Sequence, residues 1–149
     1  MNYFNKNLQI ERVKVQNIVK KLSTPLYCYS YKQLKENIDN FKKSFKSFAP
    51  LICFSIKSNN NLNLIKEIKK LGLGADVVSM GELMLALKAG INPKKIVFSG
   101  IGKTSNELKF AINKKILLIN AESKSEIIEI EKIAKSKKKN YKYWYKIKS

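Results

Sequence analysis

Short apolar runs that recur at a nearly constant spacing constrain the fold of this chain more than any other feature. The runs cover residues 52–56, 75–78, 96–99 and 117–120, and they start 21 to 23 residues apart. Each run is too short for a core helix, is rich in Ile, Val or Leu, and is followed by an amphipathic helical pattern. Continuous apolarity is typical of strands that are buried on both faces, so the pattern predicts a parallel sheet covered by helices.

The starts of the helices can be read from capping boxes. In this motif a Ser or Thr is followed three residues later by Glu or Gln, and the two residues cap the first turn of a helix. Three boxes follow the second, third and fourth runs, and a fourth box precedes the first run: Ser79 with Glu82, Thr104 with Glu107, Ser123 with Glu126, and Ser30 with Gln33.

Two architectures suit alternating strands and helices, a doubly wound open sheet and a (β/α)₈ barrel. The first strand–helix turn lacks both the dinucleotide-binding glycine pattern and a phosphate-binding Walker loop, so nothing favours the open sheet. A barrel places its catalytic groups at the C-terminal ends of the strands. Lys57, Asp76 with Ser79, and the loop 99–102 all fall at these ends. We therefore predict the N-terminal portion of a (β/α)₈ barrel, with about four strand–helix units.

Lys57 is the candidate catalytic residue. It ends the first apolar run and is followed by Ser58 and three asparagines. Apolar surroundings disfavour the charged form of a lysine and make its amine a usable nucleophile. A barrel enzyme would hold a lysine that forms a Schiff base with an aldehyde cofactor at this position. The simpler alternative is a strand-ending lysine that reaches solvent.

Asp76 and the glycines of the loop 99–102 also have simpler explanations. A carboxylate at the end of a strand can pair with a neighbouring lysine, and Gly100 and Gly102 can serve a tight turn alone.

The net charge of +19 raises the possibility of a nucleic-acid-binding module. Two observations argue against it. Arg12 is the sole arginine among the 30 basic residues, although arginine is the preferred reader of phosphates and bases. The lysines are also spread over the helical segments. We expect no nucleic-acid partner, and no membrane partner because no apolar run is long enough to span a bilayer.

Cysteine and histidine use narrows the chemistry further. Cys28 and Cys53 match no metal-binding spacing and indicate reduced thiols in a cytoplasmic protein, so we predict no metal site. The chain contains no His, which excludes histidine acid–base catalysis by these residues.

Several linked motifs follow one another over roughly residues 23–135. They are the segments 23–27 (STPLY), 57–59 (KSN), 71–83 (LGLGADVVSMGEL), 89–91 (AGI), 95–98 (KIVF), 99–104 (SGIGKT) and 120–123 (NAES). Together these motifs resemble the fold-type III pyridoxal-phosphate decarboxylases, and within them the diaminopimelate decarboxylase family.

The resemblance implies a function. Lys57 would bind pyridoxal 5'-phosphate covalently, Asp76 would lie beside the lysine and the cofactor, and the cofactor would be the electron sink for decarboxylation of meso-diaminopimelate to L-lysine. The alternatives are a related decarboxylase of another basic amino acid, such as ornithine or arginine, and a non-enzymatic basic binding module. Family members are usually homodimers, so we expect a homodimer for a full-length protein.

The chain departs from the family by what it lacks. The family has a histidine that stacks on the cofactor, a glycine-rich phosphate loop and a second domain. We expect none of them within these 149 residues, since the chain contains no His and a complete barrel takes about 250 residues. We expect residues 1–30 to be an N-terminal segment whose strand at 26–29 joins a second domain, and residues 31–139 to be a partial cofactor-binding barrel. The fourth strand would then have an open edge, and we expect the chain alone to be inactive.

Residues 140–149 (NYKYWYKIKS) show no strand periodicity where the family has a fifth strand. Written in codons rich in A and T and shifted by one base, they can read IINIGIRLNP, which is a plausible strand with the family's motif. We interpret the segment as an out-of-frame or aberrant tail. The alternative is a genuine basic, aromatic tail.

Overall fold

The computed structural model describes residues 2–4, 6–136 and 143–145. The chain divides into two compact units, Met1–Pro50 and Leu51–Ser149. Residues 31–50 therefore group with the N-terminal unit in space, while the functional division into 1–30, 31–139 and 140–149 stays a prediction. No helix within the described ranges is long and apolar enough to cross a bilayer.

The N-terminal unit combines a small antiparallel sheet with two helices. Strands β1 (Asn2–Phe4), β2 (Asn7–Ile10) and β3 (Val13–Lys14) pair in sequential order. Helices α1 (Val15–Leu22) and α2 (Tyr31–Ser44) follow. Helix α2 begins at the predicted cap, where Ser30 Oγ accepts a hydrogen bond from the Gln33 backbone N–H. Neither the sheet nor α1 was predicted. For the sheet the reason is that strands of two to four residues leave little periodicity to read.

Residues 26–29 form no strand in the described structure, and the expectation that they pair within a second domain stays a prediction. Residues 26–30 carry no regular secondary structure, and they pair with neither sheet of the described structure. A β-strand exists only where a neighbouring strand accepts and donates backbone hydrogen bonds, and here no described segment does so. The Tyr27 side chain is accordingly 92% exposed.

The second unit contains a parallel sheet of five strands. These are β4 (Cys53–Ser55), β5 (Gly74–Val77), β6 (Ile96–Phe98), β7 (Leu118–Ala121) and β8 (Tyr143–Tyr145), hydrogen-bonded in that order. A doubly wound sheet reverses its strand order at a switch point. The sequential order of β4 to β8 has no reversal, which confirms the predicted portion of a barrel.

Four helices connect the strands. They are α3 (Leu62–Lys70), α4 (Met80–Lys88), α5 (Ser105–Lys114) and α6 (Lys124–Ser136). Each of α4, α5 and α6 starts just after its predicted capping Ser or Thr. The full reciprocal box forms only at Thr104 and Glu107. At Ser79 and Ser123 the serine half forms, but the glutamate reaches one residue further back, to the backbone N–H of Val78 and Glu122 respectively.

The core of the second unit lies between the sheet and the helices. Ala75 and Val77 of β5, Ile96 and Phe98 of β6, and Ile119 of β7 are fully buried against helical side chains. At the alternate positions Gly74 is buried, whereas Asp76, Val97, Leu118 and Asn120 are only half-buried. The strands are thus buried completely on one face, and the other face carries the polar residues of the candidate site.

Strand β8 corrects one expectation. Tyr143–Tyr145 pairs in parallel with residues 119–121, so the fourth strand has a neighbour over that stretch, and the prediction of an open edge there was wrong. Three residues are too few to show periodicity in the sequence. The rest of the segment 140–149 lies outside the described residues, and its interpretation as an out-of-frame tail stays a prediction.

Candidate active site at the C-terminal edge of the parallel sheet

Lys57 lies in a single 3₁₀ turn, Ile56–Ser58, that directly follows β4. Ile56 is fully buried and anchors the start of the turn in the core. The Ser58 hydroxyl donates to the Ser55 carbonyl at 2.7 Å, and the Asn59 backbone N–H donates to the Ile56 carbonyl at 3.0 Å. The turn is therefore held on both sides of Lys57, which fixes the position of its backbone at the strand end.

The side chain of Lys57 is exposed, contrary to the apolar surroundings expected from the sequence. Its amine forms no hydrogen bond or ion pair with the residues that the structure describes. A primary amine without a partner is available to react with a carbonyl group.

The asparagines after Lys57 have a structural role. Asn59 Oδ1 accepts a hydrogen bond from the Asn61 backbone N–H at 3.0 Å. Asn61 Oδ1 in turn caps helix α3 by accepting from the Asn63 backbone N–H at 2.9 Å. These short polar side chains satisfy backbone donors locally, as is typical of Asx turns and helix caps. They shape the turn that carries Lys57.

Asp76 lies on β5, next to the strand that leads to Lys57. In the parallel register Ser55 of β4 is paired with Asp76, so Lys57 follows that pair by two residues. No hydrogen bond or ion pair joins Lys57 to Asp76. The structure thus places both predicted site residues at the same edge, on neighbouring strands, without a direct bond between them.

A chain of hydrogen bonds connects Asp76 to the next two strands. Ser99 Oγ donates to Asp76 Oδ1 at 2.6 Å, and Asn120 Nδ2 donates to Ser99 Oγ at 3.0 Å. Because the amide nitrogen can only donate, the serine hydroxyl accepts from Asn120 and must give its own proton to Asp76. We call Asp76, Ser99 and Asn120 the polar chain. It orients one carboxylate oxygen of Asp76 and leaves the other, Oδ2, without a donor from the described residues.

Two more groups belong to this face of the sheet. Ser55 Oγ is buried and has no hydrogen-bond partner among the described residues. The thiol of Cys53 has a raised pKa, because burial disfavours the thiolate and the nearby negative charge of Asp76 disfavours it further. Cys53 forms no disulfide, and the raised pKa keeps less of its thiol in the nucleophilic thiolate form.

Glycine is required at Gly74 by close packing. A Cβ atom there would lie 2.1 Å from the Lys95 carbonyl oxygen and 2.9 Å from Cys53 Sγ. Gly100, at the other side of the edge, has φ +92 and lies against Val78, so its loop takes a backbone conformation that favours glycine. The tight-turn explanation for Gly100 is therefore sufficient.

A buried ion pair next to the polar chain was not found from the sequence. Lys103 Nζ lies 2.8 Å from Glu126 Oε1, and the two side chains are 1% and 8% exposed. The sequence pattern marks Glu126 only as half of a capping box. Lys103 is one lysine in a chain with 30 basic residues, and no local pattern marks it as buried.

Glu107 connects two of the loops at this edge. Its Oε1 accepts from the Met80 backbone N–H at 3.0 Å, and its Oε2 accepts from the Thr104 backbone N–H at 2.9 Å. The hydrogen bond from the Thr104 N–H is the main reason that the pKa of Glu107 lies below its ordinary value, with burial acting in the opposite direction. The carboxylate thereby ties the start of α4 to the start of α5.

Comparison with known proteins identifies the family. A family model described as "Pyridoxal-dependent decarboxylase, pyridoxal binding domain" matches residues 31–149. The chain belongs to this family. As a member of the pyridoxal-binding domain family it uses pyridoxal phosphate, as the resemblance implied.

Relatives and solved structures agree with the family. Diaminopimelate decarboxylase from Aquifex aeolicus is 42% identical over 134 residues, which are 90% of this chain and 31% of the relative. The Helicobacter pylori (strain J99) enzyme is 47% identical over 113 residues, 76% of this chain and 28% of the relative. This chain therefore spans less than a third of the length of these relatives.

The solved structures of pyridoxal-dependent decarboxylases superpose closely on the chain. Diaminopimelate decarboxylase from M. jannaschii matches with a TM-score of 0.94 and 32% identity, over 98% of this chain and 35% of that chain. The H. pylori enzyme in complex with L-lysine matches with a TM-score of 0.86 and 39% identity, over 90% of this chain and 34% of that chain. These matches support the predicted barrel portion.

The residues at the edge fit pyridoxal phosphate. An aldehyde needs an amine that is not engaged elsewhere, and Lys57 provides one on a rigid turn. The orphaned hydroxyl of Ser55 and the free Oδ2 of Asp76 are polar atoms on the same side of the sheet that a polar ring could satisfy. Among the described residues, no group of three His, Cys, Asp or Glu side chains could hold a metal ion.

Proposed function

We propose that this chain is the pyridoxal-phosphate-binding part of a decarboxylase that converts meso-diaminopimelate to L-lysine. The observation that carries the proposal is the unpaired amine of Lys57 on a held turn, at the same strand edge as the Asp76 carboxylate. The substrate is proposed from the names of the relatives at about 40% identity or more. We also propose a cytoplasmic protein whose full-length form works as a homodimer, as the resemblance to the family implies.

Lys57 and Asp76 would hold the cofactor. Lys57 Nζ would form the covalent link to the aldehyde carbon, with loss of water, and the 3₁₀ turn would keep that link in one place. When bound, pyridoxal phosphate supplies an electron sink for the electrons left when carbon dioxide departs. Asp76, with its Oδ1 fixed by the Ser99 proton, would present Oδ2 as an acceptor. Its negative charge would favour protonated nitrogen atoms nearby.

The relatives are about three times as long as this chain, so we assign cofactor attachment to these residues and not the complete reaction. The chain alone is expected to show no turnover of diaminopimelate. A catalytic site also needs groups that bind the substrate and return a proton, and no such set is found among the described residues at this edge.

Attachment is tested by incubating the chain with pyridoxal phosphate, reducing with borohydride and mapping the labelled peptides by mass spectrometry. We expect the label to concentrate on Lys57 and to vanish in Lys57→Ala. Lys66→Ala is the matched control, since Lys66 is also exposed and lies on the next helix. A label spread evenly over the lysines would contradict the assigned role of Lys57.

The reaction is tested in a chimera in which residues 31–136 replace the aligned segment of the A. aeolicus enzyme. We expect the chimera to release carbon dioxide from meso-diaminopimelate, and its Lys57→Ala variant to release none. Activity on ornithine or arginine in place of diaminopimelate, or a folded chimera without any decarboxylation, would overturn the proposal.

A further inference from the structure

Lys103 is a lysine whose cationic group is removed from solvent and completely hydrogen-bonded. Its Nζ donates to the Gly100 carbonyl at 2.5 Å, to the Asn120 carbonyl at 2.8 Å and to Glu126 Oε1 at 2.8 Å. An ammonium group has three N–H donors, so these three acceptors satisfy it. The Nζ also lies 5.7 Å from the centre of the buried Phe98 ring.

The three acceptors come from three different parts of the edge. Gly100 belongs to the loop after β6, Asn120 lies near the end of β7, and Glu126 is in the first turn of α6. Glu126 is itself held, because its Oε2 accepts from the Glu122 backbone N–H at 2.9 Å. Lys103 therefore fastens the loop after β6 to the end of the neighbouring strand and to the helix that follows it.

Lys103 also reaches the polar chain through Asn120. The backbone carbonyl of Asn120 accepts from Lys103, while its side-chain amide donates to Ser99, and Ser99 donates to Asp76. Ser99 directly precedes Gly100, the other residue whose carbonyl Lys103 holds. Both members of the polar chain that orient Asp76 are thus positioned by the same ammonium group.

Stability alone is a poor explanation for this arrangement. Taking both charges of an ion pair out of water is unfavourable, and a well-packed apolar pair of similar size is often at least as stable. Removing one partner alone, in contrast, leaves an uncompensated charge. What the pair does provide is a directional set of bonds between named carbonyls, which apolar side chains cannot reproduce.

We propose that Lys103 and Glu126 are positioning residues, which act through Asn120 and Ser99 to hold the Asp76 carboxylate in the orientation used beside Lys57. The inference rests on the proposed function of Lys57 and Asp76. Neither residue of the pair needs to touch the substrate or the cofactor for this role.

The central variant replaces both charges at once, Lys103→Met with Glu126→Leu, so that no buried charge is left unpaired. Its control is Lys70→Met with Glu67→Leu, an ion pair of the same unit at 2.7 Å that is well exposed, at 64% and 34%. Circular dichroism melting first shows that each variant is folded at the temperature of the assay.

The first readout is the share of borohydride-trapped label at Lys57 relative to the other lysines. We expect the central variant to lower the labelling of Lys57 relative to the other lysines about tenfold to a hundredfold. Misplacement of a group by about 1 Å can have effects of this size. The control variant should label as the unchanged chain does. A folded central variant with unchanged selectivity for Lys57 would overturn the inference.

Asn120→Leu is the second variant, for the case that the central variant does not fold. It removes the side-chain amide that links the pair to Ser99 and leaves the Lys103–Glu126 contact in place. We expect the same loss of selectivity, and in combination with the central variant only a small further loss, because both interrupt one path. Full selectivity in Asn120→Leu would contradict the inference.

The second readout does not depend on the cofactor. In nitrogen–proton correlation spectra the side-chain amide of Asn120, assigned with Asn120→Leu, should shift in Ser99→Ala and in the central variant. If the unchanged chain shows no selective labelling, the proposed role of Lys57 fails, and this spectrum decides the positioning separately. An Asn120 signal that is unmoved in the folded central variant would show that Lys103 does not position the polar chain.

Discussion

The two units of this chain differ in how many hydrophobic side chains they bury. In the described part of the N-terminal unit, Ile38 is the single buried hydrophobic residue, and large side chains such as Phe48 remain 81% exposed. In the second unit most of the buried hydrophobic residues form one cluster between sheet and helices. Parallel strands covered by helices bury apolar area along every strand, whereas a three-stranded antiparallel sheet of very short strands buries little.

The difference shows where order comes from in each unit. The second unit has its geometry set by core packing, so the edge that carries Lys57 and Asp76 rests on a rigid base. In the N-terminal unit, polar contacts between separate segments take the place of an extensive core. Glu11 is the clearest example, since its Oε1 accepts from the Ser30 hydroxyl at 2.6 Å and from the Lys32 backbone N–H at 2.7 Å at the start of α2.

The two units should differ most in how much stability they lose when an aromatic side chain is truncated to alanine. Phe98→Ala should lower the free energy of unfolding by about 3–5 kcal/mol, because it removes a fully buried ring and leaves a cavity. Phe41→Ala, in α2, should lower it by about 1 kcal/mol, since Phe41 is half exposed and chiefly contacts Phe45. Urea unfolding followed by circular dichroism measures both. Equal losses would refute the assignment of the stabilising core to the second unit.

Two glycines of the second unit differ in how closely their surroundings are packed. Gly74→Ala should destabilise by about 1–3 kcal/mol, because its Cβ would overlap the Lys95 carbonyl oxygen and strands β5 and β6 would have to move apart. Gly81→Ala, in helix α4, has its nearest neighbour 3.8 Å away and should stabilise by about 0.5–1 kcal/mol through helix propensity. Thermal melting of the two variants gives the comparison. Tolerance of Gly74→Ala would mean that the sheet is loosely packed at this point.

The smallest effects concern two carboxylates with lowered pKa values, one in each unit. The Ser30 hydroxyl chiefly lowers the pKa of Glu11, and the Thr104 backbone N–H chiefly lowers that of Glu107. The charge of each carboxylate therefore contributes fully to the stability of the fold above the ordinary pKa of 4.5. This contribution is lost as the pH falls through the lower pKa of the folded state. Glu107→Gln should reduce stability by about 1 kcal/mol at pH 7. Glu11→Gln should only loosen the start of α2.

Unfolding curves between pH 7 and pH 3 measure this effect. The difference in free energy of unfolding between the unchanged chain and Glu107→Gln should become smaller as the pH falls below 4.5. Hydrogen exchange at the first turn of α2 reports on Glu11→Gln. A constant difference across the pH range would show that the charge of Glu107 does not stabilise the fold.

Much of the second unit could be predicted from the sequence because its signals are local. An apolar run of four or five residues, a capping Ser or Thr and an amphipathic helix each depend on neighbours a few residues away. Lys57 and Asp76 could be placed at the strand ends for the same reason. The segment 26–29 forms no strand here, since a strand needs a partner that the described chain does not supply, and its expected pairing with a second domain stays a prediction.

The sequence by itself determined the order of strands and helices, the starts of the helices and the family to which the chain belongs. The tertiary structure alone decided which side chains meet at the edge. Ser99 lies 23 residues from Asp76, and Glu126 lies 23 residues from Lys103. Contacts at that separation depend on the register of neighbouring strands, and no periodic pattern records them. For the same reason one lysine among many became a buried ammonium group, while Lys57 stayed exposed, with no hydrogen-bond partner among the described residues.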